Sequence, residues 1–235
     1  MDTRFFRRRD LLRLGLAGAV VAAAPAGTLA SAENTASVPE ISATDATPQA
    51  RRPLETLSAA EADTLDAIVA RLIPIDSNGP GAAEARAAHY IDRALGGALA
   101  SSREAYAAGL TAIEQYARNS KGESFVRLLP ADQDAILADL ESNVATGFVP
   151  NSTTFFELVR THTIQGMFCD PYYGGNANFC GWDLLGYPGV HTAVLADQQR
   201  IGIEMAPNHK SAYDYDMFLK ASDRASFRGG MTDGD

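Results

Sequence analysis

Sulfur and imidazole are scarce in this chain of 235 residues, which holds two cysteines and four histidines. That scarcity removes whole chemistries. A c-type haem needs Cys-x-x-Cys-His and an iron–sulfur cluster typically needs four thiolates, so this chain alone can hold neither. His89, His162, His191 and His209 never fall at the i, i+3 or i, i+4 spacing that builds a metal-binding helix face, and neither Cys169 nor Cys180 belongs to a Cys-x-x-Cys pair. No metal site and no cofactor site are expected here. A dinucleotide fold requires a strand, a Gly-x-Gly-x-x-Gly turn and a helix in succession, and Gly79-Pro80-Gly81 lacks both the strand and the third glycine. There is no Gly-x-Ser-x-Gly elbow to present a nucleophilic serine. Alternating β-branched runs are missing too, so no sheet is expected.

Basic charge is the other shortage. Twenty Lys and Arg face twenty-nine Asp and Glu. Residues 1–32 hold five of the basic and two of the acidic side chains, so the remainder carries 15 against 27, a net charge of −12. An acidic surface with no Lys/Arg stripe repels phosphate backbones, which argues against a nucleic-acid partner.

The amino terminus is the one basic stretch. Arg7-Arg8-Arg9 precedes an apolar run over residues 14–24, and small residues follow up to Ala30-Ser31-Ala32. Charged region, short apolar region and A-x-A site together describe a cleavable export signal over residues 1–32. Arg8-Arg9, one variable residue and two leucines resemble the twin-arginine type, an address read by a receptor, which places the mature protein in the periplasm. An ordinary secretory signal with extra arginines, or a retained signal serving as an anchor, are the alternatives. Residues 33–53 are rich in Ser, Thr, Ala and Pro with little apolar periodicity and read as a flexible linker. Residues 54–235 fit one domain on length.

Within that domain the apolar residues recur at helical spacing. Ser58-Ala59-Ala60-Glu61 has the form of a capping box, and Leu65, Ile68, Val69, Leu72 and Ile73 follow before Pro74 ends the run. An alanine-rich run to Leu95 predicts a second helix. Ser101 or Ser102 is expected to cap a third, closed near Gly122; Pro130 opens a fourth, and Asn151 or Ser152 starts a fifth that carries His162 to Met167. The fold class is therefore all-α, a compact domain of about five helices followed by a long aromatic and Gly-rich region. A short helix is expected near residues 213–222, and residues 228–235 are expected to fray. His162 is expected to be a hydrogen-bonded core or interface histidine rather than a ligand or base.

The segment after the fifth helix is of another composition. Phe168-Cys169-Asp170-Pro171-Tyr172-Tyr173-Gly174-Gly175-Asn176, continuing to Trp182 and Gly186-Tyr187-Pro188-Gly189, concentrates aromatics, glycines and both cysteines in about two dozen residues. Proline and paired glycines predict a loop without regular helix or strand. Rigid aromatic area of this kind suits a binding surface for another protein, with Tyr172, Tyr173, Trp182 and Tyr187 as anchors and Asp170, Pro171, Gly174, Gly175, Asn176 and Pro188 shaping the loop. Asp170 ahead of Pro171 is expected to accept backbone N–H bonds rather than move protons. Cys169 and Cys180 lie eleven positions apart around the Gly-Gly-Asn turn. A local bridge would staple the loop and contribute roughly 2 to 3 kcal/mol on a loop-entropy estimate. A bond to a partner chain, or two buried thiols, remain open alternatives.

These residues carry a resemblance. Phe155-Phe156-Glu157-Leu158-Val159-Arg160-Thr161-His162-Thr163, then Gly166-Met167-Phe168, Asp170-Pro171-x-Tyr173-Gly174-Gly175-Asn176, Gly181-Trp182 and Gly186-Tyr187-Pro188-Gly189 resemble the gluconate 2-dehydrogenase subunit 3 family. That is the small, or gamma, subunit of membrane-associated flavin dehydrogenases. The resemblance implies an all-α subunit with no catalytic residue and no cofactor of its own. It implies a large FAD-containing partner of the glucose-methanol-choline type, often with a cytochrome c subunit carrying haem, and sugars, sugar acids or polyols as the substrates of the complex. It also implies that the small subunit folds with the large one and carries it through the export channel. Two other readings stand beside it: a free-standing periplasmic enzyme using His162 and Asp170, and an interaction or ligand-binding protein unrelated to any dehydrogenase.

Overall fold

The computed structural model describes residues 54–219. The expected signal with Arg8 and Arg9, the linker over 33–53, and the tail over 228–235 lie outside the described residues. Six α-helices are present and no strand among the described residues; a single isolated bridge joins Asp76 and Gly79.

Helix α1, Ala59–Leu72, starts as its capping box predicts. Ser58 Oγ accepts from the Glu61 amide, and the Glu61 carboxylate accepts from the Ser58 amide, so two N–H groups that a helix end leaves unpaired are satisfied. Its buried face of Leu65, Ile68 and Val69 touches all four of the other long helices. It is the central element of the core. Helix α2, Ala87–Leu95, buries Ile91 and Leu95 together with Ala87 and Ala88, whose small side chains let a neighbour approach closely. On α2, the buried Asp92 carboxylate accepts three successive amides from Glu55, Thr56 and Leu57 at 2.7–3.0 Å and so fixes where the chain enters α1.

Helix α3, Arg103–Lys121, departs from expectation at its start. The 3-10 turn Ala100–Ser102 leads straight into it, so Ser102 already has helical backbone angles and its side chain makes no capping bond. Its far end follows the prediction, at Gly122 in the left-handed conformation. Helix α4, Pro130–Glu141, begins on its proline, and Arg71 of α1 clamps Asp134 of α4 through two bonds of 2.7 and 2.6 Å. Helix α5, Ser152–Phe168, is capped by Asn151, whose side chain accepts from the Thr154 amide. It packs against α2 and α4 and crosses α3 where Gly109 meets the Phe155 ring; a methyl at that glycine would lie 2.1 Å from the ring.

His162 lies on the buried side of α5, where Tyr106 Oη and His162 Nδ1 are 3.0 Å apart and the two rings stack. Burial lowers the His162 pKa and raises that of Tyr106, so both are neutral near pH 7. This matches the core-histidine expectation.

The aromatic segment is more regular than its composition predicts. A sixth helix, α6, spans Cys180–Leu185, because no proline or paired glycine falls inside that stretch. Two 3-10 turns precede it, Pro171–Tyr173 and Ala177–Phe179. Beyond it the described chain holds only the 3-10 turns Ala212–Asp214 and Asp216–Phe218, in place of the helix expected near residue 213.

Candidate functional site

The candidate site is the face that the segment from Asp170 to Gly189 forms at the end of α5. Cys169 ends that helix, its amide donating to the Gln165 carbonyl. Asp170 then caps the turn Pro171–Tyr173 by accepting from the Tyr172 amide at 3.0 Å. Its carboxylate also takes the Ser211 hydroxyl at 2.6 Å and the Ala212 amide at 2.9 Å. Asp170 is thus an acceptor of backbone and hydroxyl hydrogens, as its Asp-Pro setting predicts, and it ties two stretches of chain some forty residues apart.

Asn176 holds the middle of the segment. It is fully buried, with a positive φ of 43°. Its amide donates to the Gly166 carbonyl, its side-chain nitrogen to the Cys169 carbonyl, and its side-chain oxygen accepts from the Gly181 amide, each at 2.8 Å. The glycines permit this proximity. A methyl at Gly175 would sit 2.2 Å from the Gly166 oxygen, and one at Gly181 would sit 2.0 Å from the Met167 oxygen. The loop is therefore seated on α5 backbone to backbone.

Two sequence expectations need correction. Cys169 and Cys180 are both free thiols, not the local bridge that their spacing suggested. Asn176 lies between them and makes the cross-loop connection itself, while the Cys169 thiol turns to the Gly166 carbonyl at 3.6 Å. Burial pushes the Cys169 thiol up to about 11 and raises Cys180 as well, so neither is a thiolate nucleophile at neutral pH. The second correction concerns Trp182, expected as a surface anchor. It is only 7% exposed, donates its indole N–H to the Phe168 carbonyl at 3.0 Å, and packs edge-on against Tyr187. Trp182 is the internal pillar of the loop. Gly175 and Asn176 are buried likewise, whereas Tyr172, Tyr173 and Tyr187 are exposed and Pro188 is partly so.

The exposed tyrosines are held rigidly. Tyr172 stacks on Tyr213 with centroids 3.7 Å apart, and the hydroxyls of Tyr173 and Tyr213 are 2.6 Å apart. Arg93 donates to the Tyr172 carbonyl at 2.9 Å, and His89 Nδ1 lies 2.9 Å from the Gly174 carbonyl. Tyr213, Ser211 and Arg93 did not stand out in the sequence. Ser211-x-x-Asp214 does have a capping pattern, and the structure forms it, with the Ser211 amide donating to Asp214 at 2.7 Å. Beside the tyrosines an open groove of about 810 Å³ runs between α2 and α5, walled by Tyr90, Ala94, Ile164 and Phe168 with Arg93 and Tyr173 at its rim.

No group of three His, Cys, Asp or Glu side chains able to hold a metal occurs among the described residues. The histidines instead have separate local partners: Gly174 for His89, Tyr106 for His162, Asn208 for His191 and Asp183 for His209. No helix among the described residues is long and apolar enough to cross a membrane.

Fold and face define a class: an all-α protein whose distinctive surface is an aromatic loop seated on its last long helix. The chain belongs to the gluconate 2-dehydrogenase subunit 3 family, whose model matches residues 59–189, from the first residue of α1 to the end of the aromatic segment. No curated protein and no solved structure gives a match.

Proposed function

We propose that this chain is the non-catalytic small subunit of a periplasmic FAD-dependent dehydrogenase complex that oxidises sugars, sugar acids or polyols. It serves the folding, assembly and twin-arginine export of the large flavoprotein subunit. The observation that carries the reading is the tyrosine face: Tyr172, Tyr173 and Tyr187 are exposed while the loop behind them is fixed through Asp170, Asn176 and Trp182. Ordering such side chains before contact lowers the entropy lost on binding, which is what a docking surface needs and a solvated loop does not. Family membership supports a subunit role. Arg8 and Arg9 in the leader support export of folded cargo.

FAD belongs to the partner in this reading, and haem to a third, cytochrome c subunit. The test is co-expression with the glucose-methanol-choline-type flavoprotein of the same organism, with and without Arg8→Lys plus Arg9→Lys. Flavoprotein retained inside the cell by the leader variant is the expected result. Normal export of the flavoprotein with that variant overturns the carrier role, and sugar oxidation by the purified small chain alone overturns the non-catalytic one.

A further inference from the structure

Beyond the family-matched segment the chain makes an excursion that nothing above explains. Residues 192–207 contain no buried residue and no α-helix. The feet of this excursion are pinned together: Val190 donates to the Lys210 carbonyl at 3.1 Å, Asn208 to the Pro188 carbonyl at 2.9 Å, and the Asn208 side chain to the Val190 carbonyl at 2.9 Å. Tyr215 adds a hydroxyl bond to the same Val190 oxygen. Turns within the excursion are set by its own bonds, Gln198 to Leu195 and Ile203 to Arg200. It is a closed, shaped loop of the Ω kind.

What it presents is apolar. Ile201 is exposed to the full extent of a free side chain at 105%, Leu195 at 65%, and Ile203 stands in the open with them. Side chains of this kind held away from their own core mark a contact surface. The occupant can be narrowed by charge. Residues 192–207 hold one cation, Arg200, against two anions, Asp197 and Glu204, and the whole chain is acidic. Insertion into a lipid surface relies on Lys and Arg around the apolar tip, so a bilayer is the poorer match and an apolar cleft in a protein the better one. Position selects which protein. The feet at Pro188 and Val190 follow directly on exposed Leu185 and Tyr187, and the returning strand of chain runs through Ser211 and Tyr213 into the tyrosine face.

We propose that residues 192–207 form a preshaped arm whose Leu195, Ile201 and Ile203 insert into an apolar cleft of the same flavoprotein subunit that meets the tyrosine face. This rests on the subunit reading given above. The arm grips; the tyrosines orient.

The test uses the full chain co-expressed with the flavoprotein of the same organism, comparing wild type, Ile201→Asp alone, and Leu195→Asp with Ile201→Asp and Ile203→Asp. Exposed side chains contribute little to the fold of their own chain, so circular dichroism and thermal unfolding of the isolated variants should match wild type. The triple variant should weaken the complex by roughly a hundredfold or more, and Ile201→Asp should give most of that loss. The single variant, at a fully exposed position, keeps the test valid should the triple variant misfold. Equal binding by wild type and Ile201→Asp overturns the arm while leaving the subunit reading intact. Failure of wild type to bind the flavoprotein overturns both. Arm-dependent binding to mixed zwitterionic and anionic phospholipid vesicles, or an arm-dependent dimer of this chain in ultracentrifugation, with flavoprotein affinity unchanged by the substitutions, also overturns it.

Discussion

The helical body and the region after α5 are held by different forces. The body, α1 to α5, surrounds one apolar core in which Leu65, Ile91, Ile113, Phe125 and Ile136 are completely buried. Among the described residues, the region from Asp170 onward has one large buried aromatic, Trp182, and otherwise depends on side chains that accept or donate to backbone: Asp170, Asn176, Asn208 and Ser211. A core stabilises in proportion to the area it removes from water and tolerates some exchange of shape. A polar staple gives shape at a particular point and is lost with a single atom. The body is built to be stable, and the loop region is built to hold a surface still.

Substitutions can break that contrast. The largest effect is expected at Phe125, buried where the chain turns between α3 and α4. Phe125→Ala should remove about 3–5 kcal/mol, read as a fall in the denaturant midpoint shared by all probes. Asn176→Ala should come next and look different. Loss of the bonds to Cys169 and Gly181 should cost about 2–3 kcal/mol, expressed as faster amide exchange at Gly181 and its neighbours while amides of α1 and α3 keep their protection. A uniform loss of protection through the body would show that the two regions unfold as one.

How much of this could be read from the sequence follows the same division. Periodic apolar residues and local caps, such as Ser58 with Glu61, Pro130 and Asn151, specify the body, and those elements appear where expected. Ser102 misled because a 3-10 turn, set by the path from α2 rather than by the serine, had already fixed its backbone. In the loop, composition marked off the segment that departs from the helical body and pointed to Asp170 as an acceptor. It could not show which aromatics face outward, since Trp182 and Tyr172 are equally suited to either side and only the closure around Asn176 decides. Tyr213 and Ser211 sit forty residues downstream of the turns they brace, and nothing local in the sequence reports that pairing.

Smaller effects sharpen the comparison. His162 has its pKa lowered by burial, so the unfolded chain binds a proton near pH 6.5 before the folded chain does. Stability should be full above about pH 6.5 and decline as pH falls, with a slope of at most about 1.4 kcal/mol per pH unit from this group. His162→Gln should flatten that part of a pH series of unfolding curves. At the lower end, Tyr187→Ala removes one edge-on ring from Trp182 and should cost about 0.5–1 kcal/mol of stability.

The capture of three consecutive amides by Asp92 has a consequence for processing. Those bonds fall at Glu55, Thr56 and Leu57, immediately ahead of the Ser58 cap, so the start of the first helix is moored to the second from within the domain. A peptidase cutting anywhere upstream of residue 54 removes none of them. The three bonds that set the start of the first helix therefore survive any cut made within residues 1–53.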